Sequence, residues 1–376
     1  MNGKRIVICG AGVIGASIAY HLALRGVAAT VIERGGVACA ASGKAGGFLA
    51  RDWCDGSPLG PLAHTSFAMH AELARRIDSD YGYRPVTTFA VSARAAGGPG
   101  RPGRPDRDNA RAAAAWLDGA CAVRARLGGT DTTAQVHPRL FTRALMEAAQ
   151  SMGAALVEGR VEGVSVTGSP SRVRGVRIDG AVMPADAVVV AMGPWSTVAA
   201  RGLALPEVGG LKGFSITLAP SGEPLPAHAL FVDYDDGRGG YLAPEVFARP
   251  DGEIYLCGLG DDRPLPVDPA DIHGDPGASA TLRRIAADLC SRLEDARVTS
   301  ENACYRPIFA DALPVMGEVP GVGGAYVATG HNCWGILLAP ASGAAMAELV
   351  LDGVSSCVDL RPFAAERPAT RARARN

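Results

Sequence analysis

The pattern of hydrophobic positions is clearest at the start of the chain, where it predicts two strands joined by a helix. Residues 4–9 (KRIVIC) form a short β-branched run that is typical of a buried strand. Aliphatic side chains then recur at helical spacing over residues 14–22, and Gly26 is expected to end that helix. Residues 28–32 form a second apolar run. The pattern therefore predicts a β-α-β unit.

Further along the chain, amphipathic helices alternate with buried strands. Helical periodicity predicts helices over residues 139–149 and 281–293, and a small-residue helix from His331 to about residue 351. Apolar and β-branched runs predict strands over residues 154–166, 173–178, 187–191 and 325–329. Turn and charge signals predict an exposed loop at residues 94–108 and a basic, disordered tail at residues 361–376.

Composition and charge exclude several classes of protein. With 376 residues and 48% hydrophobic content, the chain can build two domains or one large one. A net charge of -1 gives no basic surface for nucleic acid, and no apolar run of about 18 residues predicts a transmembrane helix. The nine cysteines form no CxxC pair and follow no secretory signal. We therefore expect reduced thiols in a cytoplasmic protein, without a disulfide framework or a metal site.

The first strand-to-helix turn carries a glycine pattern that suits a dinucleotide. In GAGVIG, Gly10 permits a sharp turn, Gly12 lets the backbone approach a pyrophosphate, and Gly15 lets the helix pack closely on the strand. The helix N-terminus offers unpaired N–H groups to the phosphates. Glu33, 18 residues after the third glycine, is placed to accept the ribose hydroxyls, and its charge disfavours NADP. The motif alone leaves FAD and NAD open.

Later motifs resemble one flavoprotein superfamily, that of D-amino-acid oxidase, glycine oxidase and sarcosine oxidase. After GAGVIG and Glu33-Arg34 come ASGKAGG at residues 41–47, AQVHP at 134–138 and VVVAMGPWS at 188–196. The closing runs are RPIFADALPVMG and GAYVATGHNCWGILLAPASG, so the resemblance extends over nearly the whole chain. The run ASGKAGGFLARDWCDGSPLG is similar to a subgroup of fungal, plant and bacterial members whose substrates are poorly settled.

The resemblance implies a fold of two interleaved domains. A Rossmann-like α/β domain that binds FAD is expected over residues 1–85, 140–205 and 300–360. A substrate domain of α+β type, with a mixed sheet and flanking helices, is expected over residues 86–139 and 206–299.

The same resemblance implies an enzyme that oxidises a C–N bond of an amine or amino-acid-like substrate. Such a reaction passes a hydride from the carbon next to nitrogen to flavin N5 and gives an imine. The alternatives are a flavoenzyme that tailors a larger biosynthetic intermediate, a flavin-binding protein with little turnover, and an NAD-dependent dehydrogenase. The residues implied in binding FAD are Gly10, Gly12, Val13, Ile14, Gly15, Glu33, Arg34, Ser42, Gly46, Gly47, Val161, Gly193, Trp195, Cys304, Gly330, His331, Asn332, Gly335 and Ile336.

Three side chains are candidates for contact with the substrate. Arg306 lies five residues before Asp311, a spacing at which glycine-oxidase-like members carry an arginine that binds the substrate carboxylate. The alternative for Arg306 is a structural ion pair with Asp311 or Glu301. His331 is either in contact with flavin or substrate, or a turn histidine bonded to backbone. Lys44, among small and apolar neighbours, is placed to meet the flavin or a substrate anion.

Cys304 and the electron acceptor raise two further alternatives. Cys304 aligns with the position at which sarcosine-oxidase-type members tether flavin through a thioether, so it is either bonded to the flavin or packed beside it. Those members also carry a lysine that helps O2 react, on a strand that corresponds to residues 253–258, where this chain has none. Lys212 can replace the lysine that helps O2 react only if the fold brings it to the same place. The expected partners are a small-molecule substrate and O2 or another acceptor, with no nucleic acid or membrane; a homo-oligomer stays open.

Overall fold

The computed structural model describes residues 3–95, 114–199 and 203–367. Most of the predicted loop at residues 94–108, and residues 368–376 of the predicted tail, lie outside this part of the chain. The α-helices within it are α1 (Val13–Leu24), α2 (Ala41–Lys44), α3 (Leu59–Arg76), α4 (Pro138–Ser151), α5 (Ser196–Ala199), α6 (Pro276–Leu289) and α7 (Gly335–Asp352).

The strands within the described ranges form four sheets. In chain order they are β1 (Ile6–Cys9), β2 (Thr30–Glu33), β3 (Phe48–Ala50), β4 (Arg84–Pro85), β5 (Thr87–Arg94), β6 (Cys121–Gly128), β7 (Thr133–Gln135), β8 (Ala155–Glu158), β9 (Val161–Thr167), β10 (Ser171–Ile178), β11 (Ala181–Pro184), β12 (Ala187–Val190), β13 (Gly209–Ala219), β14 (His228–Asp235), β15 (Tyr241–Leu242), β16 (Glu245–Ala248), β17 (Ile254–Leu259), β18 (Arg297–Ile308), β19 (Val315–Glu318), β20 (Val322–Gly323) and β21 (Ala325–Thr329).

A six-stranded sheet in the order β19-β21-β12-β1-β2-β8 carries the predicted β-α-β unit. All its neighbouring strands run parallel except β19, which pairs antiparallel with β21. The helices α1, α4 and α7 contribute to the apolar core against this sheet, so its central strands β1, β12 and β21 are buried, while the edge strand β8 is mostly exposed. The arrangement confirms the α/β fold class, and β1, α1 and β2 start within two residues of their predicted positions.

An eight-stranded sheet in the order β18-β13-β17-β16-β14-β5-β6, with β15 beside β14, forms the second large layer. It is mixed, because β14 and β5 run parallel while its other neighbours run antiparallel. The helix α6 packs its apolar residues against one face of this sheet. The division of the chain into two domains stays a prediction. The predicted boundary at residue 300 falls inside β18. This strand pairs along its length with β13 of the eight-stranded sheet.

Two predicted elements have different bounds in the structure. The predicted strand over residues 154–166 is two strands in different sheets, because the chain turns at Gly159, whose N–H donates to the Glu33 carbonyl at 3.0 Å. The predicted helix over residues 281–293 begins earlier, at Pro276, because the Asp275 side chain accepts the Ala278 N–H at 3.0 Å and caps it. It ends at Leu289, and a separate 3-10 turn follows.

The chain beyond α7 corrects a further prediction. Residues 361–367 were expected to be disordered, yet they form a packed turn in which Phe363 is 1% exposed. Within the described part of the chain, one helix, Asn332–Asp352, is long and apolar enough by length and composition to cross a membrane, contrary to expectation. However, 67% of the most apolar 18-residue stretch of this helix is buried inside the protein. Its side chains belong to the core on the six-stranded sheet.

Candidate active site

A cavity of about 1110 Å³ is lined by residues of both large sheets. From the six-stranded sheet, the lining comes from the residues that follow the carboxyl ends of β1, β2, β8, β12 and β21. This is the edge at which open parallel sheets bind ligands, because the loops that leave the strands meet there. The volume lies just above the range of about 300–1,000 Å³ for small-molecule sites, and the cavity is therefore large enough for an extended ligand.

Most of the residues predicted to form the site line this cavity. The exceptions are Gly15, Gly47 and Gly330. A Cβ on Gly15 would lie 1.9 Å from the Gly10 carbonyl oxygen, and one on Gly47 would lie 2.0 Å from that of Val136, so both glycines serve close packing. Gly330 has φ +77° and turns the chain after β21. The predicted residues that do line the cavity are Gly10, Gly12, Val13, Ile14, Glu33, Arg34, Ser42, Lys44, Gly46, Val161, Gly193, Trp195, Cys304, Arg306, His331, Asn332, Gly335 and Ile336.

At one end of the cavity, the Glu33 carboxylate is oriented by backbone donors. The N–H groups of Ala11, Arg34 and Gly35 each donate to it at 2.9 Å. These bonds hold the acid at the end of β2, beside the turn that carries the glycine motif. A carboxylate fixed in this way suits the hydroxyls of a ribose.

The N-terminus of α1 faces the cavity next to Glu33. The Val13 N–H donates to the Ser42 hydroxyl at 2.9 Å, and a Cβ on Gly12 would approach the same oxygen to 3.2 Å. Gly10 adopts φ +104°, which favours glycine, so that the chain can turn from β1 into the helix. The exposed helix N-terminus, with a hydroxyl beside it, has the donors that a phosphate requires. Together with Glu33 it fits a dinucleotide.

At the other end, the turn between β21 and α7 presents buried polar atoms that lack a protein partner. His331 is 3% exposed; its Nε2 lies 3.1 Å from the Ser342 hydroxyl, while its Nδ1 has no partner among the described residues. Burial lowers the pKa of His331 to about 3, so the ring is neutral near pH 7. The Asn332 side-chain oxygen is likewise buried without a partner in the described chain. Such atoms are normally satisfied by a ligand or water.

Arg306, on β18, lines the cavity near this turn without an ion pair in the described residues. Asp311, the acid that the sequence offered as its structural partner, instead binds Arg367. Burial raises the pKa of the Cys333 thiol, and the charge of the nearby Arg306 guanidinium opposes this rise. Arg306 is therefore available to bind an anion in the cavity.

Lys44 and Cys304 lie between the two ends. The Lys44 Nζ donates to the Ala303 carbonyl at 3.0 Å, which joins α2 to β18. Burial raises the pKa of the Cys304 thiol, while the charges of Lys44 and Arg306 partly oppose this rise. Neither side chain has a role that the structure alone assigns.

Lys212 points away from the face of the sheet that carries Cys304 and Arg306. It pairs with Tyr305 across β13 and β18, and successive residues of a strand face opposite sides. Its Nζ lies 3.5 Å from Asp261 and over the rings of Phe214 and Tyr305. The strand β17 contains no lysine.

The segment 260–269 covers one side of the cavity and contacts the glycine-motif end. The Trp195 Nε1–H donates to the Pro266 carbonyl at 2.8 Å, and Arg34 forms an ion pair with Asp268. The guanidinium of Arg34, predicted to bind the cofactor, is thus held by this segment, although Arg34 still lines the cavity.

Sequence reasoning missed Glu245, which also lines the cavity. It begins β16, and its strand partners are Phe231 on β14 and Cys257 on β17. Burial raises its pKa, and the Arg306 charge opposes that rise. The one sequence signal is a single acid at the start of the apolar run EVFA, which is weak by itself.

Comparison with known proteins supports the reading of the cavity. The family model DAO, described as FAD dependent oxidoreductase, matches residues 5–349. A Schizosaccharomyces pombe protein that carries only the general designation oxidoreductase is 33% identical over 387 residues, which cover 96% of this chain and 97% of that protein. Glycine oxidase of Geobacillus kaustophilus is 30% identical over 395 residues, with 96% of each chain covered.

Solved structures show the same likeness. The crystal structure of glycine oxidase from Geobacillus kaustophilus superposes with a TM-score of 0.81 at 27% identity, over 98% of this chain and 100% of that chain. Iminodiacetate oxidase from Chelativorans sp. BNC1 superposes with a TM-score of 0.75 over 96% of this chain and 99% of that chain. At 21% identity, the second likeness concerns the fold alone.

Proposed function

The chain belongs to this family of FAD-dependent oxidoreductases, and from that premise we propose that it oxidises a C–N bond of an amine or amino-acid-like substrate. The family makes the protein an enzyme and FAD its cofactor. The names of two similar proteins, glycine oxidase and iminodiacetate oxidase, support an amino-acid-like substrate, although the second is similar in fold alone.

The observation that carries the proposal is the unpaired guanidinium of Arg306 in the cavity. An arginine there offers two parallel N–H donors, which match the two oxygens of a carboxylate. No carboxylate of the described chain lies within 4.0 Å of it. A substrate with a carboxylate would therefore supply the partner that the protein does not.

The residues at the glycine-motif end would hold the cofactor. Glu33, which the Ala11 N–H orients, would accept ribose hydroxyls, and the N-terminus of α1 with the Ser42 hydroxyl beside it would receive phosphate. When bound, FAD supplies the acceptor for the hydride that leaves the carbon next to nitrogen. The chain itself would orient the substrate through Arg306.

The turn before α7 sets the electrostatics of the substrate end. Gly335 and Ile336 bring the N-terminus of α7 to the cavity, and its backbone dipoles favour negative charge there. His331 is neutral and buried, so it contributes hydrogen bonds and no charge. Its free Nδ1 is available to a group in the cavity.

Anaerobic mixing tests the proposal directly. The purified holoenzyme is mixed without oxygen with glycine, sarcosine, iminodiacetate and the D- and L-forms of the common amino acids. We expect at least one of them to bleach the visible flavin absorption, whereas the matching hydroxy acids do not. If no amine or amino acid reduces the flavin, the proposed function fails.

A further inference from the structure

Glu245 and Arg306 are opposite charges that share the cavity without pairing. Both side chains are half-buried and line the same space. Among the described residues, no cation lies within 4.0 Å of the Glu245 carboxylate, and the Arg306 guanidinium does not reach it. The two nevertheless interact through space, because the Arg306 charge favours ionised Glu245. Room therefore remains between them.

The pleat of the sheet explains why Glu245 faces the cavity. Val246 and Ala248, its neighbours on β16, join the core beneath α6, so Glu245 and Phe247 face the opposite side. Within the described residues, the Glu245 carboxylate accepts a hydrogen bond from the Cys257 thiol on β17, whose Sγ lies 3.6 Å from Oε2, and a thiol is only a weak donor.

An ionised carboxylate in this position is destabilised unless a cation lies beside it. Taking a carboxylate out of water without a partner destabilises the ionised form, and burial accordingly raises the pKa of Glu245. A ligand with an anion at Arg306 and a cation toward Glu245 would satisfy both charges at once. A simple carboxylate would satisfy only Arg306.

We propose that Glu245 is a specificity-determining residue, which receives the cationic nitrogen of a zwitterionic substrate while Arg306 receives its carboxylate. This inference rests on the proposed function, because it needs the substrate carboxylate at Arg306. It narrows the substrate class to small zwitterionic amino acids, as opposed to uncharged amines and plain carboxylates.

Two ligands of nearly identical shape test the inference. 2-Aminoisobutyrate is a zwitterion without an α-hydrogen, so it cannot lose a hydride from that carbon. Pivalate is the same molecule with a methyl group in place of the ammonium. Dissociation constants for both are measured on the holoenzyme at pH 7.5 from the change in the visible flavin spectrum.

The wild type should bind 2-aminoisobutyrate at least about tenfold more tightly than pivalate, as expected for one added charge pair. Glu245→Gln should abolish this preference and leave pivalate binding nearly unchanged. Glu245→Asp, which keeps the charge, should retain part of the preference. Arg306→Gln should weaken both ligands, and Glu72→Gln, at an exposed site on α3, should change neither.

Several results would overturn the inference. A Glu245→Gln variant that binds both ligands equally less well indicates a structural role. A wild type that binds neither ligand, or does not prefer the zwitterion, contradicts the role of Glu245 in binding the ammonium group. If an amino acid still bleaches the flavin anaerobically in those cases, the proposed function stands and only the role of Glu245 falls. If none does, the proposed function fails as well.

Discussion

Asp311 accepts hydrogen bonds from the guanidinium of Arg367 at 2.7 and 3.0 Å, and this pair joins the end of the described chain to the segment before β19. The two side chains are only 7% and 11% exposed, and the Arg367 guanidinium also lies 4.7 Å from the Phe309 ring centre. Because Asp311 is engaged in this way, Arg306 is left without it.

Arg367→Ala should destabilise the fold, because it leaves the buried Asp311 charge without a partner. We expect the free energy of unfolding to fall by about 3 kcal/mol in urea denaturation. Arg361→Ala is the matched control, since Arg361 is 91% exposed and its pair with Asp359 is a surface one. The control should change stability far less, because an exposed ion pair contributes little. Similar effects in both variants would contradict the structural role of the pair.

Arg306→Gln should lower kcat/KM for carboxylated substrates by about 30-fold, mainly through KM, because a charge-assisted bond of about 2 kcal/mol is lost. The same amine without its carboxylate should be affected much less. Steady-state kinetics on such a substrate pair measures the difference, with Arg361→Gln as control. Equal losses on both members of the pair would argue for a structural arginine.

Glu33→Gln should weaken FAD binding about tenfold, because the amide cannot accept hydrogen bonds from the backbone and the ribose with both of its terminal atoms. Glu158→Gln is the control, since Glu158 is the exposed register partner of Glu33 on β8 and does not line the cavity. Recovery of FAD fluorescence on dilution gives the dissociation constant. An unchanged constant in Glu33→Gln would exclude Glu33 from the cofactor site.

Acid precipitation should leave the flavin in the supernatant. A thioether tether requires the thiolate, and burial raises the pKa of Cys304, which disfavours that form. We therefore expect Cys304 to lie beside the flavin without a bond to it. Cys304→Ser should also keep a noncovalent flavin. A yellow pellet from the wild type, and a colourless one from Cys304→Ser, would show the tether instead.

Stability should fall as the pH drops below about 6.5, partly because of His70. This histidine is fully buried, with Nε2 near the Ile336 and Leu337 carbonyls, and burial lowers its pKa to about 4. The unfolded chain takes up the proton first, so the loss begins at the unfolded pKa near 6.5 and grows until about 4. At pH 5 it amounts to about 2 kcal/mol.

Urea denaturation at pH 7.5 and pH 5 measures this loss. His70→Gln should lose about 2 kcal/mol less than the wild type between the two pH values. An unchanged pH dependence in His70→Gln would show that another group dominates.

The glycine-motif end was predictable because its determinants are local. Gly10, Gly12 and Glu33 belong to one β-α-β unit, where helical periodicity and glycine spacing act within about 30 residues. The close packing of Gly15 was predicted from the motif, whereas the packing of Gly47 against the Val136 carbonyl is seen only in the fold.

The substrate end depends on contacts that the local sequence does not encode. The sequence left open an ion pair of Arg306 with Asp311 or Glu301. The partner of Asp311 is instead Arg367, which lies 56 residues further along the chain, in a segment predicted to be disordered. Glu245 and Arg306 line the same cavity because β16 and β18 belong to one sheet, and no periodicity in the sequence predicts the order of strands in a sheet.

The segment 260–269 has a consequence for how the holoenzyme is assembled. It belongs to the layer that carries Glu245, yet it is fastened to Arg34 and Trp195 on the other layer. Because these two contacts hold the segment over one side of the cavity, we expect the residence time of a large ligand to depend on how often they open. Because the Arg34–Asp268 pair is partly exposed, added salt should shorten that residence time.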